Sequence, residues 1–242
     1  PFLNGKLTGL LSNRLRVWAD TDSDRCGYLP FAFGDSSKFD DYAQYALDVP
    51  MYFIYRNGNY VVPNHMSFRN FLSNGFIDSD GEKFSATMND WETHLSTLFP
   101  QVRLKKFLEM RGADSGNHNS ILSLAAIWTG LIYNIQVLDE VHKMISKWTY
   151  SDVLHLDECL NKDGLNASFK GNNILELLKE LVSLSKQGLS ERNVRNAHND
   201  TEEILLEKFS KRVQIDFLQN DVDIFLNEKF IGTSTSYLEN LS

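Results

Sequence analysis

Short runs of alternating apolar and polar residues fill the first half of the chain and predict β-strands. Residues 13–18 alternate in this way and place Arg14 on the polar face of a half-buried strand. Residues 101–111 alternate again, so Glu109 and Arg111 lie on the same face of a second strand, about 7 Å apart. Charged side chains therefore occupy one face of each predicted strand.

A β-hairpin is the clearest local prediction. The β-rich residues 51–56 are followed by Asn57 and Gly58, the pair that favours a type I′ turn, and residues 59–62 return as the second strand. The polar residues 19–27 are too rich in turn formers for a regular element and are predicted to form a loop.

Apolar residues spaced three and four apart predict helices elsewhere. Ser36 or Ser37 caps a helix that carries Tyr45 and that Pro50 ends, and a capping pair opens another helix over residues 90–99. In the second half, helical spacing occupies residues 120–147, 151–160, 172–187 and 201–212. Because strands precede helices instead of alternating with them, the pattern predicts an α+β domain with an antiparallel sheet.

Composition narrows the class of protein. The chain has 242 residues, 42% of them apolar, and a net charge of -8, which disfavours nucleic acid and anionic membranes as partners. The apolar stretch 121–135 is shorter than the roughly 20 residues that a bilayer requires, which predicts a buried helix. Only Cys26 and Cys159 occur, which indicates a reducing compartment, and we expect a cytoplasmic protein. The oligomeric state stays open.

Glu109 and Arg111 are the best candidates for chemistry. A carboxylate can hold Mg²⁺ while a neighbouring guanidinium binds phosphate oxygens, which is the combination that phosphoryl transfer needs. The alternative is an ion-pair ladder on a solvated sheet face, and alternation does not decide between them. The six histidines show no zinc-binding spacing, and neither a P-loop nor a GxGxxG motif is present.

The string PQVRLKKFLEMRGAD, residues 100–114, closely resembles the FPEVRLKxYLEMRGAD segment of plant and alphaproteobacterial glutamate-cysteine ligases. Further segments resemble consecutive motifs of that family: PFLNGKLTGLLSNRLRVWADTDSDRCGYLPFAF (1–33), YALDVPMYFIYRNGNYV (45–61), SFRNFL (67–72), DWETHLSTLFP (90–100), WTGLIY (128–133) and EEILLEKF (202–209). The resemblance is strongest over residues 1–135.

The resemblance implies a fold like that of glutamine synthetases and guanidino kinases, with a curved antiparallel sheet that holds ATP and divalent metal. It implies that residues 1–135 are the C-terminal part of the ligase catalytic domain and residues 136–242 a helical region packed on it. The implied reaction activates the γ-carboxylate of glutamate as an acyl phosphate, which the cysteine amine attacks. This is the first step of glutathione biosynthesis.

The resemblance also implies residue roles. Glu109 matches the magnesium-binding glutamate of the family, and Arg111 matches the arginine that contacts the transferring phosphate. Arg14, in LSNRLRVW, matches an arginine assigned to the carboxylate of an amino-acid substrate. Arg25 is either a substrate contact or part of an ion pair within a solvated loop. Tyr45 is either core or a pocket wall whose hydroxyl reaches the cysteine.

Two departures from the family pattern keep alternatives open. Residues 112–120 lack the proline, tryptophan and arginines of the family segment GADGGPWRR, so a related γ-glutamyl ligase with another amine acceptor, or a non-catalytic degenerate copy, remains possible. The N-terminal half of the family's domain, which carries other metal-binding glutamates, is not in this sequence. We therefore expect the isolated chain to be inactive.

Overall fold

The computed structural model describes residues 2–34, 37–113 and 116–207. Its helices are α1 (Arg14–Ala19), α2 (Phe39–Asp48), α3 (Phe68–Asn74), α4 (Met88–Ser96), α5 (His118–Ile132), α6 (Ile135–Ile145), α7 (Tyr150–Asp163) and α8 (Ile174–Arg192). Its strands are β1 (Phe2–Leu3), β2 (Lys6–Leu7), β3 (Cys26–Gly27), β4 (Ile54–Arg56), β5 (Asn59–Val61), β6 (Phe76–Ile77), β7 (Lys83–Phe84), β8 (Phe99–Pro100), β9 (Val102–Leu104), β10 (Leu108–Met110), β11 (Ser168–Phe169) and β12 (Asn172–Asn173).

The strands pair only two by two within the described residues. Five pairs are antiparallel and join strands that follow one another in the chain, whereas β3 and β8 are parallel. Helices together with antiparallel strand pairs confirm the α+β class in its coarse form.

Contacts between residues divide the chain into two compact units. One unit is Arg14–Ala113, and the other contains the described residues 2–13 and 116–207. The predicted division after residue 135 concerned the extent of a ligase catalytic domain, which a division by contacts does not test.

The unit Arg14–Ala113 has two apolar clusters that share Trp91. The first cluster consists of Met51, Ile54, Phe68, Phe71, Phe76 and Phe84. The second consists of Tyr42, Ala46, Val49 and Leu98 and packs α2 against the segment after α4. Since Trp91 lies on α4, this helix ties the two clusters together.

In the other unit, α5 and α8 cross at two glycines. A Cβ on Gly130 would lie 2.1 Å from the carbonyl oxygen of Ser185, and a Cβ on Gly188 would lie 2.0 Å from that of Gly130. Only glycine permits this approach, since the neighbouring atoms are backbone. Ala126, Leu189 and Leu206 form the buried cluster beside the crossing.

Residues 13–18, predicted as a strand, are mostly helix α1, so that prediction was wrong. Arg14 and Trp18 are four positions apart and meet on one helical face, with the Arg14 guanidinium carbon 5.8 Å from the centre of the Trp18 ring. Val17, expected on the buried face, is exposed. An alternating run of six residues is too short to separate a strand from a helix of less than two turns.

Residues 101–111, predicted as one strand, form the hairpin β9–β10. Leu104 pairs with Leu108, and the chain reverses through Lys105 and Phe107, where the Lys105 amide donates to the Phe107 carbonyl at 2.9 Å. A turn of three residues leaves both ends on the same face, so the alternation continues through it and conceals it.

The other local predictions agree more closely with the structure. The hairpin at Asn57 and Gly58 is confirmed, with φ of 51° and 84° as a type I′ turn requires. The helix predicted over residues 90–99 is α4, which begins two residues earlier because Thr87 and Asp90 form the capping box. The helix before Pro50 is α2, but its N-cap residue is Lys38, not Ser37.

Two further predictions changed or lie outside the described residues. The segment 120–147 is two helices, α5 and α6, bent by 92° where Asn134 caps the second. Within the described part no single helix is long and apolar enough to cross a membrane, and this bent pair reaches such a length and composition only when taken together. Ser36 and the end of the predicted helix 201–212, after residue 207, lie outside the described residues.

Candidate functional site

Glu109 lies at the centre of a cluster of cations on the hairpin β9–β10. Its Oε2 accepts a hydrogen bond from Nε of Arg103 at 2.6 Å, and Nζ of Lys105 lies 3.7 Å from the same oxygen. Its Oε1 accepts a hydrogen bond from Nη1 of Arg111 at 3.2 Å. Three cations therefore surround one carboxylate.

The hairpin register produces this arrangement. Glu109 on β10 pairs directly with Arg103 on β9, so their side chains leave the same face of the strand pair. Arg111 lies two residues beyond Glu109 and shares that face, as the alternation predicted. The sequence therefore predicted the neighbour along the strand but not the neighbour across it.

The charge balance of the cluster favours an anion. The hydrogen bond from Arg103 lowers the pKa of the Glu109 carboxyl. Burial raises this pKa by a smaller amount, so the carboxyl is ionised at neutral pH. One negative charge among three positive charges leaves an excess of two. That excess suits phosphate or carboxylate oxygens.

Arg111 is held by aromatic rings and keeps one donor unused. Its guanidinium carbon lies 5.8 Å from the centre of the Trp18 ring and 5.4 Å from that of Phe99. Its Nε is buried and has no hydrogen-bond partner within the described residues, although the side chain is 20% exposed. Stacking against flat rings orients the guanidinium without consuming its hydrogen-bond donors.

Arg14 connects α1 to the end of β10. Its Nη1 donates to the Gly112 carbonyl at 2.9 Å, and its Nη2 donates to the Arg111 carbonyl at 3.3 Å. The structure thus brings together three of the predicted site residues, Arg14, Glu109 and Arg111. It adds Trp18, which stands beside both arginines and which sequence reasoning missed; its spacing of four residues from Arg14 was the available signal.

Arg25 lies in a second cluster and is only 3% exposed. Its Nε donates to Asp22 Oδ2 at 2.7 Å, its Nη2 donates to the Pro50 carbonyl at 2.7 Å, and its guanidinium stacks 3.5 Å from the centre of the Tyr52 ring. The Tyr52 hydroxyl donates to the same Asp22 oxygen at 2.7 Å. Burial raises the pKa of the Asp22 carboxyl, but the bonds from Tyr52 and Arg25 lower it overall.

Tyr45 belongs to this second cluster. Its hydroxyl donates to the backbone carbonyl of Arg25 at 3.3 Å, and burial raises its pKa. Its ring packs against Phe31 and Tyr42, with ring centres 6.3 and 5.8 Å apart. Arg25 and Tyr45 are therefore neighbours whose polar groups bind atoms of the chain itself.

Comparison with known proteins identifies the family of this chain. The family model described as glutamate-cysteine ligase family 2 (GCS2) matches residues 1–215. The chain belongs to the glutamate-cysteine ligase family. The resemblance inferred from the LEMRGAD segment is thereby confirmed.

Several relatives in the family are plant proteins. Glutamate--cysteine ligase A, chloroplastic, of Oryza sativa subsp. indica is 45% identical over 195 residues, which are 81% of this chain and 39% of the relative. The corresponding Brassica juncea protein is 44% identical over 81% of this chain and 38% of its own length. The Arabidopsis thaliana protein is 42% identical over 81% of this chain and 37% of its own length. This chain thus spans well under half the length of these glutamate-cysteine ligases.

Ligation by members of this family depends on ATP, which proteins bind together with magnesium. One described residue, Glu109, has the carboxylate that a magnesium ion needs. Glu109 is a 29% exposed carboxylate with phosphate-binding donors beside it. Mg²⁺ in nucleotide sites commonly takes one or two carboxylates and completes its shell with phosphate oxygens and water. Among the described residues no three His, Cys, Asp or Glu side chains come together as a metal site. Because three cations surround Glu109, it suits magnesium only as one ligand of several and together with a phosphate that offsets their charge.

The opposite face of the hairpin is apolar in this member of the ligase family. Val102, Leu104 and Leu108 line a cleft of about 410 Å³ together with Phe31 and Phe33, which precede α2, and Phe39 and Tyr42, which lie on it. The strand pair β9–β10 thus separates the charged cluster from an apolar cleft. Sequence reasoning did not predict the cleft.

Proposed function

We propose that this chain is part of an ATP-dependent ligase that joins the γ-carboxylate of glutamate to the amine of cysteine, the first step of glutathione biosynthesis. The observation that carries the proposal is the pairing of Glu109 and Arg111 on one hairpin face, in a chain that belongs to the glutamate-cysteine ligase family. The relatives are named as glutamate--cysteine ligases.

The proposed reaction has two steps. A γ-carboxylate oxygen of glutamate attacks the terminal phosphorus of ATP, the bond from that phosphorus to ADP breaks, and ADP leaves. The cysteine amine then attacks the acyl carbon, the carbon–oxygen bond to phosphate breaks, and the amine loses a proton. The products are γ-glutamylcysteine, ADP and phosphate.

The residues of the charged cluster divide this work. We assign Arg111 to the oxygens of the transferring phosphate, because its guanidinium lies between two rings while its side chain remains 20% exposed. Glu109 would hold magnesium, which when bound neutralises phosphate charge. Arg14 is assigned to the carboxylate of an amino-acid substrate, and its bonds to the Arg111 and Gly112 carbonyls also order the end of β10.

Arg25 and Tyr45 are assigned to the substrate pocket with a more limited role. Because Arg25 is buried and bonded to Asp22 and Pro50, we propose that it supports the pocket wall through Tyr52. The Tyr45 hydroxyl, now bonded to the Arg25 carbonyl at 3.3 Å, is proposed to reach the cysteine by exchanging this long bond.

The fold proposal extends beyond the described strand pairs. We propose that these pairs join strands from the remainder of the ligase in a curved antiparallel sheet of the glutamine synthetase and guanidino kinase type. Residues 1–135 would then belong to the catalytic domain, and the predicted helical region 136–242 would follow it in the chain. Support comes from the share of the relatives that the chain covers, about 39% of the rice protein.

The same coverage bears on activity. We propose that further metal ligands come from the part of the ligase that this chain does not span, so that the chain by itself is inactive. The proposed ligands are ATP, Mg²⁺, glutamate and cysteine. We propose neither nucleic acid nor a membrane as a partner.

The proposed location is the cytoplasm. The relatives, by contrast, are named as chloroplastic.

The test is a ligation assay on the full-length protein with ATP, Mg²⁺, glutamate and a panel of amines. Release of phosphate that requires both glutamate and cysteine, with γ-glutamylcysteine identified by mass spectrometry, is the expected result. Preference for another amine would assign the altered segment 112–120 to a different acceptor. Absence of turnover with every amine would favour a degenerate copy and overturn the proposal.

A further inference from the structure

Arg103 is the most firmly held of the cations around Glu109. Its side chain is 9% exposed, and its Nη1 donates to the carbonyl oxygens of Ser96 at 2.8 Å and Leu98 at 3.2 Å. These two carbonyls belong to the end of α4 and the segment that follows it. Arg103 is thus anchored to backbone outside its own hairpin.

The anchored guanidinium makes the shortest bond to Glu109. Its Nε lies 2.6 Å from Oε2, whereas Arg111 reaches Oε1 at 3.2 Å and Lys105 lies 3.7 Å from Oε2. Because a guanidinium is planar and its donors are fixed in direction, two carbonyl anchors determine where its Nε–H points. That N–H then fixes one oxygen of the carboxylate and leaves the other toward Arg111.

We propose that Arg103 is a positioning residue, which orients the Glu109 carboxylate so that Oε1 and the guanidinium of Arg111 face the same ligand. This inference rests on the proposed function. Because the bonds of Arg103 go to Glu109 and to two backbone carbonyls, it would act on a ligand through Glu109. Groups that orient a metal-binding carboxylate typically change metal affinity or activity by about 10- to 100-fold when they are removed.

The test measures Mn²⁺ binding in the presence of ADP by electron paramagnetic resonance, together with the Mg²⁺ dependence of turnover, in the full-length protein. In Arg103→Gln we expect Mn²⁺ affinity to fall about tenfold and the Mg²⁺ concentration for half-maximal turnover to rise by a similar factor. Arg103→Lys keeps the charge but lacks the planar fork, and it should show most of the same loss. Added guanidinium should restore part of the Mn²⁺ affinity of Arg103→Ala.

Arg56→Gln is the matched control for loss of stability. Arg56 also binds a carboxylate, with Nη1 and Nη2 each 2.6 Å from an oxygen of Asp90, but that pair contributes nothing to the charged cluster. Its loss should lower stability and leave Mn²⁺ affinity unchanged. Circular dichroism identifies which variants are folded. If Arg103→Gln is unfolded, the Mn²⁺ affinity of Arg103→Lys decides whether Arg103 has the positioning role.

Two results would overturn these assignments in different ways. If Glu109→Gln abolishes Mn²⁺ binding while folded Arg103→Lys retains it in full, the positioning role is wrong and the proposed function stands. If Glu109→Gln leaves both Mn²⁺ affinity and turnover unaffected, the metal role of Glu109 is wrong, and the role of Arg103 is overturned with it.

Discussion

Glu109 and Arg111 each contribute a full charge to the proposed site, and removal of either charge should be seen in turnover. We expect Glu109→Gln and Arg111→Ala each to lower kcat about a hundredfold or more, because their charges stabilise the transition state. Glu140→Gln is the control, since Glu140 forms a similar ion pair with Lys143 at 2.7 Å on exposed α6. Steady-state kinetics under saturating ATP decides, and a near-normal kcat in either variant would refute its role.

His94 predicts a pH dependence of stability. It is 2% exposed on α4, its Nε2 is 2.7 Å from the Ala46 carbonyl, and burial lowers its pKa below the ordinary 6.5. As pH falls below that ordinary value, the unfolded chain binds a proton that the folded chain excludes. The free energy of unfolding should therefore decrease from about pH 6.5 downward, by at most about 1.4 kcal/mol per pH unit.

Urea unfolding between pH 7 and pH 5 measures this slope. His94→Phe, which cannot titrate at this position, should flatten the slope. The carboxylates whose pKa is lowered, such as Asp22 and Asp90, lose their contribution at more acidic pH and leave this window to His94. An unchanged slope in His94→Phe would contradict the assignment.

At the scale of elements, Asp90 joins the start of α4 to the hairpin strand β4. Its carboxylate accepts from the Thr87 amide at 2.8 Å and forms two bonds with Arg56, and its side chain is 1% exposed. Asp90→Ala leaves Arg56 without this partner, and we expect a loss of about 3 kcal/mol in urea unfolding. Thr87→Ala removes the cap hydroxyl and a methyl group but keeps the ion pair, and it should cost about 1 kcal/mol. Equal costs would show that the ion pair contributes nothing.

The crossing of α5 and α8 supports a second prediction at this scale. Gly130→Ala and Gly188→Ala each place a methyl group against backbone, so we expect each to cost about 2 kcal/mol despite the better helix propensity of alanine. Ser183→Ala, at an exposed position of α8, is the control and should change stability by less than about 0.5 kcal/mol. Thermal unfolding that shows glycine and serine variants alike would contradict the close crossing.

What the sequence predicted at this scale follows the range of the interactions involved. The type I′ hairpin depends on Asn57 and Gly58 alone and was predicted correctly. The pairing of Arg103 with Glu109 depends on where the chain reverses, and a three-residue turn leaves no trace in the alternation. The contact between Trp18 and Arg111 joins residues 93 positions apart (111 − 18). Neither propensity nor periodicity carries information of that range.

At the scale of the whole molecule, the two compact units predict independent folding. Residues 14–113 contain two buried clusters and the charged hairpin, so this segment should fold cooperatively as a separate polypeptide. Dispersed amide resonances and a single urea transition are the expected result. A spectrum typical of an unfolded chain would show that the segment depends on the remaining residues.

The two faces of the hairpin β9–β10 have a consequence for how this protein tolerates insertions and deletions. Substitutions within residues 105–107 should leave the pairing of Leu104 with Leu108 unchanged. Insertion of a single residue that slips the register by one position exchanges the faces. Glu109 and Arg111 would then both point toward the apolar cleft, and Leu108 would face Arg103. The length of this turn is therefore under tighter constraint than the side chains of Lys106 and Phe107, and homologous proteins should keep three residues in it.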